Sequence, residues 1–345
     1  MKPVLKFFTL FLTPSCLLLA SITILSNNIP PKKTYSLSGF AQGTTYSIKY
    51  IQTDSIISSL EIDSILKEID HSLSLYIPTS IISRFNVSYH GVKMDQHLKN
   101  VVEKSIEISA LSKGYFDITC KPLSDLWGLG FKTINTLPTT SEINSVLYFV
   151  GSKNLYIVND SLLKTKTQVQ IDCNGIAQGY TVDVLYEFLK QKNIDDFIIE
   201  LGGEIRTAGK TEKNIPWMIG IENPSEGYGD NFLIDKKVTL SNYAITTSGS
   251  YRKYIKLGST YFTHIIDPIK GMPITSGIIS VTVIAPTAIQ ADALDNAFML
   301  LGIPSSFELL NRLPETGLHI IFKDSTGQLK DTSNLFFKKY LNVVN

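Results

Sequence analysis

The chain is poor in cysteine: Cys16, Cys120 and Cys173 are all it has in 345 residues. Three cysteines cannot make a disulfide scaffold, and no His/Cys set has zinc-ligand spacing. A charge excess is missing too. Lys and Arg total 32 against 31 Asp and Glu, a formal net charge of +1. A nucleic-acid binder of this size usually carries a basic surplus. Only 18% of the residues are charged and 43% are hydrophobic, the wrong balance for disorder. Long apolar runs are absent but for one, which excludes a polytopic membrane protein. What is present is enough chain for one large domain or two ordinary ones.

The one apolar run is at the start. Lys2 and Lys6 precede Phe7 to Leu25, which carry no charge, and the next charge is Lys32. A basic stretch followed by an apolar one reads as a secretory signal or a single anchor. No clear small-residue cleavage site follows. Cys16 raises a lipoprotein reading, but Thr13, Pro14 and Ser15 fit that pattern poorly. Anchor, cleaved signal and lipoprotein all stay open, each with the body outside the cytoplasm. Residues 26–36 read as a polar, Pro-containing linker. The division expected is 1–31 for signal or anchor with linker, and 32–345 for one catalytic body. Without the first 31 residues, 30 positive and 31 negative charges remain, so the body is close to neutral.

Periodicity predicts a strand at Thr44–Gln52 and helices at Ile56–Leu73 and His97–Lys113, the second stopped by Gly114. Residues 132–165 read as peripheral, with a helix around Ser141–Val150. Then come strand VQIDC, helix Ile176–Lys192, strand FIIEL, a polar strand-rich stretch to about 262, strand IISVTVIA and helix Ala288–Leu301. Strands and helices mix without βαβ rhythm, so the class is α+β.

Four segments carry chemistry. In DCNGIAQGY, Asp172 to Tyr180, a strand runs through Asn174-Gly175 into a helix whose start offers unpaired N–H groups to phosphate. Gly175 and Gly179 allow close backbone approach. In ELGGEIRTAGK, Glu200 to Lys210, paired glycines can cradle a ligand or form a bulge; the dinucleotide fingerprint fails because no helix follows. THIIDPIKGMP contains His264 and Asp267, and histidine is the usual base near neutral pH. His71, His90, His97 and His319 have no acidic or cysteine partner at metal spacing and read as surface or packing residues. In ADALDNAF, Asp292 and Asn296 share a helical face, with Asp295 beside them. Two oxygen ligands there suit Mg²⁺. Each segment also has an ordinary reading: a turn, a bulge, a hydrogen-bonded histidine, a solvated stripe.

Taken in order, these segments resemble the ApbE family, the FAD:protein FMN transferases. QGTTYSIKY at 42–50, LYIPTSIISRFN at 75–86 and GYFDITCKPLSDLWGLGF at 114–131 are similar to its first motifs. IDCNGIAQGYTVD, ELGGEIR, TSGSYRKY, HIIDPIKGMP and SVTVIAPTAIQADALDNAFMLLG follow in sequence. The resemblance covers roughly residues 40 to 325.

It implies a T-fold-like mixed architecture with antiparallel sheet and packed helices. It also implies a reaction: FMN moves from FAD to a threonine or serine hydroxyl of a target flavoprotein, and AMP leaves. The implied cofactor is Mg²⁺ and FAD is a substrate. The implied partners are acceptor flavoprotein subunits of membrane redox complexes, the sodium-pumping NADH:quinone oxidoreductase or Rnf-like complexes. The implied place is the outer side of a bacterial inner membrane. By motif position His264 is the base, with Asp267 orienting it or holding the turn. Flavin contacts fall at Gln42, Tyr76, Tyr115, Phe116, Asp117, Asp172, Gln178 and Ile266. Metal ligands fall at the Gly175 carbonyl, Asp292 and Asn296. Three positions depart from the family's usual Met, Lys and Thr: Gln42, Gln178 and Asn296. Cys120 and Cys173 lie in site-lining segments and read as buried small residues or a labile disulfide. The nearest alternatives are a Mg²⁺-dependent FAD pyrophosphatase and a non-catalytic FAD binder.

Overall fold

Alternation builds the central sheet. Along β2 (Thr44–Gln52), Tyr46, Ile48 and Tyr50 are buried while Thr45, Ser47 and Lys49 between them are more exposed, as one-sided burial of a pleated strand demands; Ile51 at the strand's end is buried as well. The computed structural model describes residues 30–130, 134–223, 233–250, 254–257 and 260–342. β2 pairs with β1 (Lys33–Ala41) over nine residues. The expected linker therefore ends earlier: Lys33 already belongs to a strand, an edge one whose residues are only half covered, which is why its sequence lacks a strong apolar rhythm. The sheet continues through β3 (Phe197–Leu201), β4 (Glu204–Ala208), β5 (Ala244–Gly249), β6 (Ile278–Ala285), β7 (Gly317–Lys323) and β8 (Leu329–Ser333). Every neighbouring pair is antiparallel and the strands lie in chain order, so the fold is α+β around an antiparallel sheet.

Helices cover the sheet. α1 (Ser59–Leu73) begins with a capping box, Ser58 with Glu61, and buries Ile62, Leu66, Ile69 and Leu73. α2 (Gln96–Leu111) is capped by Asp95. Its stop differs from expectation: Lys113 itself takes the left-handed conformation (φ 57), with Gly114 (φ 85) behind it. The Gly114 N–H closes the end on the Ser109 carbonyl at 2.8 Å. α3 (Ala177–Gln191) and α4 (Ala288–Leu310) pack on each other, and α4 lies against β5 and β6. Helical geometry in α4 breaks at Gly302 (φ 76, ψ 165), with Pro304 following, so its first segment ends where expected.

Segment 169–173 is not the strand expected. There a side chain replaces the ladder. The Asn86 amide donates to the Ile171 carbonyl at 2.9 Å and accepts the Ile171 N–H at 2.7 Å. The Asp172 N–H donates to the Ile118 carbonyl at 2.7 Å. Nor is 132–165 merely peripheral. Helix Thr140–Leu147 puts Ile143 into a satellite core with Leu123, Trp127, Val150 and Ile266.

Lys32–Asn345 forms one unit. Phe7–Leu25 and Cys16, on which the anchor, signal and lipoprotein readings rest, lie outside the described residues. Among the described residues, no helix is long and apolar enough to cross a membrane.

Candidate functional site

One cavity of about 580 Å³ collects the chemistry-bearing segments, within the usual range for small-molecule sites. Gln42, Tyr76, Tyr115, Phe116, Asp117, Asp172, Gly175, Gln178, His264, Ile266, Asp292 and Asn296 all line it. The elements explain why. The β1–β2 turn brings Gln42, the loop after α1 brings Tyr76, the loop after α2 brings Tyr115 to Asp117, and α3 starts at the floor. Paired glycines close the β3–β4 hairpin at Gly202 and Gly203, both at positive φ. That two-residue turn, rather than a bulge, puts Gly202 and Glu204 on the wall.

The floor is the crossing of α3 and α4. Neither helix has a side-chain cap from its own N-cap residue. Asp292 of α4 accepts the Gly179 N–H in the first turn of α3, at 2.8 Å. Asp183 of α3 accepts the Ala288 and Ile289 N–H groups at the start of α4, at 2.8 and 2.9 Å. A Cβ on Gly179 would meet the Ala288 carbonyl oxygen at 2.4 Å, so glycine permits the crossing.

Asp292 and Asp295 are 4% and 2% exposed. Burial pushes the Asp292 carboxyl up to about 7, and the Asp183 charge adds to this. Burial also raises Asp295 well above the ordinary carboxylate range, and the Asp292 charge pushes it further. Two buried neighbouring acids of this kind suit a hard cation. Among the described residues no cluster of three His, Cys, Asp or Glu has metal-holding geometry, so any set must include neutral oxygens. The Gly175 carbonyl is such an oxygen. Asn296, the third expected ligand, is turned the other way. Its Nδ2 donates to the Asp292 carbonyl and Asp295 Oδ1, both at 3.0 Å, and faces the Gly175 carbonyl at 3.4 Å. Its Oδ1 accepts from Ser248 Oγ at 3.4 Å. The carboxylate beside it, Asp295, which stands near enough in sequence to assist the metal, is buried with Asp292, and that burial depends on packing rather than on local sequence.

Other residues hold the walls. Asp117 accepts from Thr119 N (2.8 Å), Thr119 Oγ1 (2.5 Å) and Ser152 N (2.7 Å), so it anchors the aromatic segment. Asp172 accepts the Asn174 N–H at 2.8 Å, and burial raises its carboxyl. Gln42 stands at φ 51 and its amide donates to Thr181 Oγ1 on α3 at 2.9 Å. Its added polar groups are thus satisfied within the protein. Holding the turn is one of the two roles read for Asp267, and its Oδ1 does so by accepting the Ile269 and Lys270 N–H groups at 2.8 and 3.0 Å. Cys120 lines the cavity, Cys173 is buried, and both are free. Burial pushes both thiols up, which leaves them protonated and unreactive.

Comparison with known proteins agrees with this geometry. The family model described as "ApbE family" matches residues 42–322. A protein named FAD:protein FMN transferase from Vibrio cholerae is 34% identical over 333 residues, covering 94% of this chain and 98% of its own. One of the same name from Haemophilus influenzae is 32% identical, covering 89% and 91%. The structure of Flavin Transferase ApbE from Vibrio cholerae superposes with a TM-score of 0.80 at 33% identity, covering 90% of this chain and 100% of that one. Apo flavinyl transferase ApbE from Pseudomonas stutzeri gives 0.80 at 30%, covering 90% and 97%. A family model over most of the chain, with relatives 34% and 32% identical that cover 94% and 89% of it, leads to one conclusion: the chain belongs to the ApbE family.

Proposed function

We propose that this chain moves FMN from FAD onto a threonine or serine hydroxyl of a target flavoprotein and releases AMP, with Mg²⁺ as cofactor. The observation that carries the reading is the meeting, in one cavity, of a helix start, two buried carboxylates and a histidine. Pyrophosphate chemistry needs charge neutralisation and positioning more than covalent help from the protein, and these groups supply both.

The division of labour follows from the residues. The aromatic segment Tyr115–Phe116 and Tyr76 offer faces for the flavin or adenine ring. Gln178 and the backbone near Gly175 stand where the pyrophosphate would lie. Asp292, Asp295 and the Gly175 carbonyl would hold Mg²⁺, with Asn296 donating to the same oxygens. Bound there, the ion would neutralise phosphate charge. His264 takes the proton of the acceptor hydroxyl as its oxygen bonds to the FMN-side phosphorus. The bond from that phosphorus to the AMP oxygen breaks, and AMP leaves with the electron pair.

Acceptors of the kind implied by the resemblance are flavoprotein subunits of membrane redox complexes, sodium-pumping NADH:quinone oxidoreductase or Rnf-like. The reading places the body outside the bacterial cytoplasm, at the inner membrane, through residues 1–31. The test combines the full chain with FAD, Mg²⁺ and a soluble domain of such a subunit that bears its acceptor threonine. Covalent flavin fluorescence on that domain, with AMP released in equal amount, is the expected result. FMN and AMP without labelling make the protein a pyrophosphatase; FAD retained without product makes it a binder. Either outcome overturns the transfer reading.

A further inference from the structure

A short hairpin stands at the cavity rim on the His264 side, and the reaction chemistry leaves its tip unused. Ile266–Asp267 pairs antiparallel with Met272–Pro273. The turn between them is held firmly. Asp267 Oδ1 takes the N–H groups of Ile269 and Lys270. The Gly271 N–H donates to the Asp267 carbonyl at 2.8 Å, and the Trp127 indole donates to the Gly271 carbonyl at 2.8 Å. Gly271 sits at φ 70, and a Cβ there would lie 2.6 Å from Ile143 Cγ2. The turn is thus pressed onto the satellite core with no room for a side chain at that point.

From this fixed base three side chains point outward. Ile269 and Met272 are each 50% exposed. The Lys270 side chain is 73% exposed, its Nζ 3.7 Å from Asp267 Oδ2. Ile266 and Pro268, at the foot of the hairpin, line the cavity. Ile269 and Met272 put apolar surface within reach of a partner at the cavity mouth. A turn already rigid spares a partner much of the ordering cost of binding.

We propose that the Ile269–Met272 tip is the docking knob for the acceptor protein. The segment bearing the acceptor threonine or serine lays apolar side chains on Ile269 and Met272 and brings a carboxylate to Lys270. The inference rests on the transfer reading: the second substrate there is a macromolecule whose hydroxyl must reach His264. His264 lies three residues before Asp267, so that chain crosses the rim where the hairpin stands. FAD alone needs only the cavity interior.

The experiment uses the full chain, loaded with FAD, and the acceptor-threonine domain of a sodium-pumping NADH:quinone oxidoreductase subunit as the probe. Wild type, Ile269→Glu/Met272→Glu and Lys270→Glu are compared for FAD affinity, for direct binding of the probe by biolayer interferometry, and for the transfer KM and kcat. In the double variant, probe binding weakens and KM rises by about tenfold or more, as for loss of interface anchors. FAD affinity and kcat stay within about twofold, a change below 1 kcal/mol. Lys270→Glu weakens probe binding in the same direction. Unchanged probe affinity and KM in the double variant overturn the proposal. A parallel loss of FAD affinity also overturns it, because the two residues would then serve the cavity. Wild type that binds the probe without labelling it overturns the transfer reading alone, and the hairpin is then judged on the binding measurement.

Discussion

Asp183 and Asp292 cap each other's helices. Asp183 of α3 closes the start of α4, and Asp292 of α4 closes the start of α3. Each helix supplies the anion that the other's N-terminal N–H groups require. The crossing that forms the cavity floor is therefore fixed from both sides, and Asp292 reaches the cavity with one oxygen already held.

Removing Asp183 should be costly. Arg206 Nη1 lies 2.8 Å from Asp183 Oδ1, both side chains are largely buried, and the guanidinium stacks 3.6 Å over the Tyr186 ring. Asp183→Ala strands a buried cation and two helix N–H groups, and should destabilise the protein by about 3–5 kcal/mol. Asp183→Asn keeps an acceptor oxygen and should cost less. Urea unfolding followed by circular dichroism checks both. A loss under about 1 kcal/mol for the alanine variant, the size of a surface pair, would mean the interlock contributes little.

Gly179→Ala reverses an ordinary expectation. Glycine to alanine inside a helix usually gains about 1 kcal/mol. Here the new methyl meets the Ala288 carbonyl oxygen at 2.4 Å and Asp292 Cβ at 2.7 Å. The helices must move apart and the Asp292–Gly179 bond lengthens. Thermal unfolding should show a lower Tm than wild type; a higher one contradicts the close crossing.

Lys164 provides a pH test away from the cavity. Its ammonium is buried and donates to the Phe85 and Val169 carbonyls, both at 2.9 Å. Burial pushes it down to about 8 from 10.5. The folded protein therefore binds this proton less well than the unfolded chain does. Its charge weighs against folding below pH 8, and stability is regained as pH rises from 8 towards 10.5. Lys164→Met lacks that rise. Urea unfolding at pH 7.5 and 9.5 should show wild type gaining on the variant. Equal pH dependence of the two would exclude the shift.

Much of this was legible in the sequence, for physical reasons. Thr44–Gln52, Phe197–Leu201 and Ile278–Ala285 alternate or run apolar because they pack against helices. Twelve of the thirteen residues singled out for the site line one cavity, because short motifs at strand ends and helix starts converge wherever a sheet and helices meet. What stayed hidden depends on partners distant in sequence. Val169–Cys173 has the composition of a strand, yet Ile171 bonds the Asn86 side chain and Asp172 the Ile118 carbonyl in place of a neighbouring strand. Asp267 and Asp117 read as site carboxylates and are taken up by nearby N–H groups. Asp295 sits beside the metal face in sequence, but only packing buries it next to Asp292.

Asp292→Asn separates structure from metal binding. The amide oxygen can still accept the Gly179 N–H, while the charge next to Asp295 disappears. Without Mg²⁺ the variant should melt at the wild-type temperature or above, since one of two buried neighbouring acids is gone. With Mg²⁺ at a hundred times its dissociation constant, wild type should gain about 2.7 kcal/mol, and the variant should gain almost nothing. A full Mg²⁺ response in the variant would move the ion elsewhere.

His264→Ala tests the base. The residue lines the cavity with Ile266 and Pro268, and its proposed task is only to take the acceptor proton. General-base catalysis contributes about 10²- to 10⁴-fold, so transfer kcat should fall by that order. FAD affinity and the Mg²⁺-induced rise in Tm should hold near wild-type values, because neither involves that proton. Equal losses of FAD binding and transfer would make His264 a wall of the cavity instead of its base.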